Sequence, residues 1–173
     1  MARFASHRVV SPGVFVEVAG IEFEDLEAGL VFEHRPGRTF GVVENAQHAL
    51  RSLDLDPRHV DAHYAALAHG GEQAIAETFV LSVVTAMTTK TFGKVMANLG
   101  WTGVTFPRPV RPGDTVYAES QILDTRPSAS RPTLGIVHAR TRALNQRGEE
   151  VCAFERRFLV YRRGQGPYVA AGY

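Results

Sequence analysis

From Glu72 to about Thr91 the chain carries neither glycine nor proline. Its apolar residues there fall into two adjacent rows, Ile75, Phe79, Val83 and Met87 in one and Ala76, Val80 and Val84 in the other. Rows spaced by four residues share one side of an α-helix, and two neighbouring rows make an apolar surface wider than one neighbour can cover. The spacing predicts a main helix over this stretch, covered on most of its sides. After Phe92 the period changes. Leu99 to Phe106, Thr115 to Leu123, Leu134 to Leu144 and Glu150 to Tyr161 read as strands bounded by Pro, Gly and Asp. In the third, Val137, Ala139, Thr141 and Ala143 alternate with His138, Arg140 and Arg142, the period of a sheet with one wet face. The short connection Asn145-Gln146-Arg147-Gly148, with glycine placed for positive φ, joins the last two as an antiparallel hairpin. A long central helix followed by a meander is an α+β arrangement in which an antiparallel sheet wraps the helix. One sheet leaves that helix partly uncovered and its own edges unpaired, so a homodimer or a higher homo-oligomer is expected.

Upstream, Leu30 to Phe40 reads as a strand broken at Pro36-Gly37. Val42 to Leu53 has helical spacing through Val43, Ala46, Leu50 and Leu53, and Asp61 is placed to cap a short helix from Ala62 to Ala68. With 173 residues and 45% hydrophobic content, the chain suits one core and one domain. The expected division is an N-terminal arm over residues 1–25, the domain over 26–163 and a tail over 164–173.

Between the two upstream helices lies Leu53-Asp54-Leu55-Asp56-Pro57-Arg58-His59-Val60-Asp61, with a carboxylate five positions before a histidine and a proline between them. Proline fixes its own φ and restricts Asp56 to extended or turn geometry, so Asp54 and His59 are expected to project from a stiff irregular segment. Stiffness suits proton transfer, which is sensitive to ångström-scale misplacement.

Bulk composition names no partner. The formal charge is +1, from 19 basic and 18 acidic residues, which gives no strong field toward nucleic acid or an anionic membrane. The single cysteine, Cys152, reads as core packing, and no Cys/His spacing resembles a metal site. A lone thiol and the lack of a signal-like apolar block after Arg8 set the expectation of a cytoplasmic protein. Arg156 and Arg157 read as solvated.

The segment Asp54-x-Asp56-Pro57-x-His59-x-Asp61 resembles the signature of the MaoC-like dehydratases and (R)-specific enoyl-CoA hydratases, which have the hot-dog fold. The resemblance extends to Phe23-Glu24-Asp25-Leu26, Arg38-Thr39, Asn98-Leu99-Gly100-Trp101 and Phe106-Pro107 through Gly113-Asp114-Thr115. It covers residues 20 to 163, and Ser130-Arg131-Pro132 and Asn145-Gln146 are most similar to the mesaconyl-CoA hydratase-like branch. It implies hydration of a 2-enoyl thioester, or the reverse dehydration, with Asp54 and His59 gripping one water. Coenzyme A or a phosphopantetheine arm would be part of the substrate, with no separate cofactor.

One departure is marked. Where the family places a His-Gly pair whose amide binds the thioester oxygen, this chain has Ala76-Glu77, with Gly70 and Gly71 lying earlier; the oxyanion donor is then an amide at Glu77 or Thr78, or the register of the match is shifted. Candidate substrate contacts are Asp56, which closes the turn, Trp101 for the acyl pocket, and Arg126 and Arg131 for phosphates. Glu77, ionisable on an apolar helix, also keeps thioester hydrolysis open. Addition of an amine in place of water and a silent acyl-thioester-binding role are the remaining alternatives.

Overall fold

The computed structural model describes residues 4–68, 71, 73–168 and 170–173. Alternating side chains build an antiparallel sheet of five strands in the order β3-β5-β6-β7-β4. These are β3 (Val31–Thr39), β4 (Val95–Thr105), β5 (Thr115–Pro127), β6 (Leu134–Asn145) and β7 (Glu150–Tyr161). A separate two-stranded hairpin, β1 (His7–Ser11) with β2 (Val14–Glu17), precedes them. Every strand read from the sequence is present. The sequence reading starts β4 too late, because its pairing with β7 runs back to Val95 opposite Val160. The expected break at Pro36-Gly37 is instead a register shift within β3, between His34 and Arg38. An edge strand tolerates a proline at such an irregularity because no second neighbour needs its missing donor.

The central helix is α4 (Glu77–Met87), 11 residues long, and the long helix expected from Glu72 to Thr91 is corrected. Glu72 lies outside the described residues. Before Glu77 the backbone amides are engaged elsewhere: Ala74 donates to Arg58 O, Ile75 to Val110 O and Ala76 to the Asn45 side chain. Amides held by distant partners cannot close helical turns. At the other end, the Thr88 and Thr89 hydroxyls bond back to Thr85 O and Ala86 O, and the amides of Thr91 and Phe92 return to Thr88 O. The helix is buried along one side, where Val80 and Val84 meet Phe40 and, on the inner face of the sheet, Val116, Ala118, Ala143, Cys152 and Phe154. Phe79, Leu81, Val83 and Met87 are only half-buried, so the expectation of cover on most sides is also corrected.

A second apolar cluster fills the other end of the sheet with Phe23, Leu26, Phe92, Ile122, Val137, Ala139, Phe158 and Val160. Phe23, which starts a single 3₁₀ turn at Phe23–Asp25, belongs to this core, so packing begins before residue 26. Its ring lies where a side chain at Gly135 would stand. Gly135→Ala is therefore expected to cost about 1–3 kcal/mol through overpacking, and a urea unfolding curve superimposable on wild type would contradict that packing.

Between the two clusters runs a band of buried polar side chains: His34, Thr88, Ser120, Thr141 and Arg156. Arg156 is 4% exposed, which corrects the reading of it as solvated; it shares the inward parity of Cys152, Phe154 and Phe158, whereas Arg157 faces out.

Helix α1 (Val42–Ser52) turns Asn45 and Ala49 inward. Val43, Leu50 and Leu53, which mark its helical spacing, are exposed. The reason is polar. Asn45 is pinned by backbone groups of residues 59, 74 and 76, and that sets the rotation of the helix.

Candidate active site

Leu53 ends α1 in the left-handed region at φ 59°, an uncommon conformation for a side chain other than Gly, Asn or Asp. That kink lets the Asp54 amide return to Ala49 O at 2.9 Å. Asp54 Oδ1 accepts from the Asp56 amide at 3.4 Å, and Oδ2 lies 3.9 Å from His59 Nε2. Pro57 opens the four-residue helical turn α2 (Pro57–Val60), so the segment expected to be irregular is partly helical. Proline is well suited to the first position of a turn, where its missing N–H has no acceptor to lose. Asp56 caps that turn, accepting from the Arg58 amide at 2.9 Å, and Asp61 caps α3 (Ala62–Leu67) through the Tyr64 amide.

The His59 side chain is 2% exposed, and its Nδ1 lies 2.8 Å from Ala74 O. A carbonyl only accepts, so Nδ1 carries a proton, and in its neutral form the ring presents the Nε2 lone pair toward Asp54. The Asp54 carboxylate is 30% exposed, which makes it the open side of the pair. At 3.9 Å the two groups do not bond directly, but the gap suits one water donating to both.

Asn45, fully buried, ties the surroundings together. Its amide nitrogen donates to Ala74 O at 3.0 Å and His59 O at 3.5 Å, and its oxygen accepts from the Ala76 amide at 2.9 Å. The sequence reading missed this residue. Its signal is a single polar side chain in register with Ala49 on the helix leading to the Asp/His segment.

The remaining candidates are distributed unevenly. Asp56 is held by Arg58, whose side-chain and backbone hydrogen bonds bring the Asp56 carboxyl down to about 2. The Arg58 guanidinium, raised above its ordinary range chiefly by Asp56, also feels Glu77 and Asp54, so it stands among three carboxylates. Glu77 and Thr78 are the exposed first residues of α4, and Thr78 Oγ1 lies 3.1 Å from His48 Nε2. As the opening amides of a helix, those of Glu77 and Thr78 have no intrahelical acceptor and point toward approaching negative charge. Trp101 is 40% exposed on the edge strand β4. Arg126 is exposed near the far end of β5, about 30 Å of strand from Val116. Arg131 lies beside Met96, 4.0 Å from its sulfur. A single chain therefore gathers Asp54, Asp56 and His59 near the Ala74–Glu77 entry to α4, and does not bring Arg126 and Arg131 to them.

The family described as mesaconyl-CoA hydratase matches residues 15–170. A mesaconyl-CoA hydratase from Cereibacter sphaeroides is 31% identical over 154 residues, covering 84% of this chain and 42% of that protein. The chain thus spans less than half the length of this curated relative. A MaoC-like dehydratase from Rhodospirillum rubrum superposes with a TM-score of 0.73 at 27% identity, covering 84% of this chain and 100% of that one. An (R)-hydratase from Pseudomonas aeruginosa gives a TM-score of 0.71 at 26% identity, covering 84% of this chain and 89% of that one.

Proposed function

The chain belongs to the mesaconyl-CoA hydratase family, and from that membership and the Asp54–His59 geometry we propose that it hydrates a 2-enoyl thioester, or dehydrates the corresponding 3-hydroxyacyl thioester. The observation carrying this reading is the fixed tautomer of His59. With Nδ1 donating to Ala74 O, Nε2 accepts, and a water between the two groups directs one hydrogen to each and its lone pairs outward. Attack at C3 then passes one water proton to Asp54, places hydroxyl on C3, and moves the electron pair of the double bond onto the thioester oxygen as an enolate. Asp54 returns its proton to C2, so the sum is one water added, and the same steps reversed remove it. The enolate oxygen is placed against the Glu77 or Thr78 amide, where a preorganised donor contributes most as charge develops. Coenzyme A or a phosphopantetheine arm enters as part of the substrate.

We place a second copy of the chain against the exposed Val43, Leu50, Leu53, Leu55 and Leu67 and the β4 edge with Leu99, Trp101 and Val104. A row this apolar on a surface helix supports an interface, and the named relative is more than twice as long as the matched region.

Incubation with crotonyl-CoA tests the reaction. Loss of enoyl absorbance without free thiol is the expected result. Thiol release would assign hydrolysis through Glu77, and neither signal across a range of acyl lengths would leave a binding role.

A further inference from the structure

Arg156 is a buried cation without a counter-charge among the described residues. Nη2 donates to Thr88 Oγ1 at 3.1 Å, the guanidinium carbon lies 4.4 Å above the Phe158 ring and 5.7 Å from that of Phe92, and Nε is buried with no hydrogen-bond partner. Burial alone lowers its pKa, to about 10, and no carboxylate acts on it. The neighbouring Glu155 faces the other side of the sheet, 2.8 Å from His138 Nε2. His34 adds no second positive charge beside it, since burial first, then Arg156 and Arg35, bring that imidazole down to about 4. Stacking on two aromatic faces offsets part of the desolvation, but an unpaired charge in a core is expensive.

The surroundings are suited to an anion. His34 bridges the Thr91 and Ser120 hydroxyls at 3.1 and 2.9 Å, and Ser120 continues to Thr141 at 2.8 Å, a chain of groups able to donate or accept. A surface cavity meets this band at His34; Glu17, Phe32, Glu33, Arg35, Lys90 and Thr91 are also on its walls, and Arg156 is not. We infer that the Arg156 band is an internal receptor for a carboxylate, separate from the Asp54–His59 pair. Thr88 is 11 residues beyond Glu77, about 16 Å along the helix axis. A short acyl group reacting near Glu77 does not span that distance. The carboxylate comes either from a small acid entering past His34 and Thr91 or from the far end of a long acyl chain. A carboxylate is favoured over other anions because the guanidinium edge at Nε is a planar fork.

The full chain is titrated with acetate and with glutarate at fixed ionic strength, with chloride as reference, while the Arg156 Nε–H resonance is followed. Saturable displacement by the acids and not by chloride is expected, with a rise in melting temperature that Arg156→Met abolishes. Arg156→Lys is expected to weaken the response about tenfold or more, since an ammonium lacks the fork. Asp54→Asn leaves the response intact, so failure of the hydration reading does not touch this one. If free acids are silent, the acyl-chain source is supported by a tenfold fall in kcat/KM on Arg156→Met that is confined to thioesters ending in a carboxylate. Absence of displacement by any acid, together with equal losses on charged and uncharged thioesters, overturns the proposal. If Arg156→Met does not fold, the wild-type resonance and the Arg156→Lys rates decide.

Discussion

Asp54→Asn is expected to slow crotonyl-CoA hydration by roughly 10²- to 10⁴-fold, the span that a positioned proton acceptor contributes. The change is nearly isosteric. An amide oxygen at position 54 still accepts from the Asp56 amide at 3.4 Å, so the turn keeps its local hydrogen bond and the melting temperature stays close to wild type. What is lost is basicity: the amide can orient a water but cannot take its proton. His59→Ala should give a similar rate loss by a different route, since Nε2 is the second group facing the water and Nδ1 fixes its tautomer through Ala74 O. Initial rates at matched enzyme concentration decide it. Turnover of Asp54→Asn within tenfold of wild type removes Asp54 as the base.

Asn45→Leu has the second large effect, on stability and rate together. The side chain is fully buried, and replacing it leaves the Ala76 amide without its 2.9 Å acceptor beneath the entry to α4. An unsatisfied buried amide costs about 1–3 kcal/mol, and the added volume brings the expected loss to roughly 2–4 kcal/mol. Ala74 O keeps its bond to His59 but loses its second donor, so the carbonyl that fixes the imidazole is freed to shift. Small misplacements of a proton carrier are costly, and kcat is expected to fall by about tenfold or more under conditions where circular dichroism shows the variant folded. Unchanged urea midpoint and unchanged kcat would remove Asn45 from the account.

The strands were legible because their evidence is local: alternation in β6 and the Asn145–Gly148 connection are complete within a few residues. The extent of α4 was not, because the amides that end it belong to contacts with Arg58, Val110 and Asn45, far away in sequence. The rotation of α1 misleads for a related reason. Its apolar row faces away from this chain's core, and periodicity cannot say which neighbour an apolar row will meet. Arg156 was readable by parity, since it alternates with Phe154 and Phe158, but a charged residue is assigned to solvent by default. The spacing of Asp54 and His59 was visible at once. The hydrogen bond that holds the imidazole runs to a carbonyl 15 residues later, and no local pattern announces that.

The left-handed bend at Leu53 gives the Asp54–His59 segment an unusual kind of independence. The aim of the carboxylate derives from main-chain torsions, one return hydrogen bond and the Asp56 amide. The outward residues of the preceding helix can thereby be exchanged without turning Asp54 away from His59.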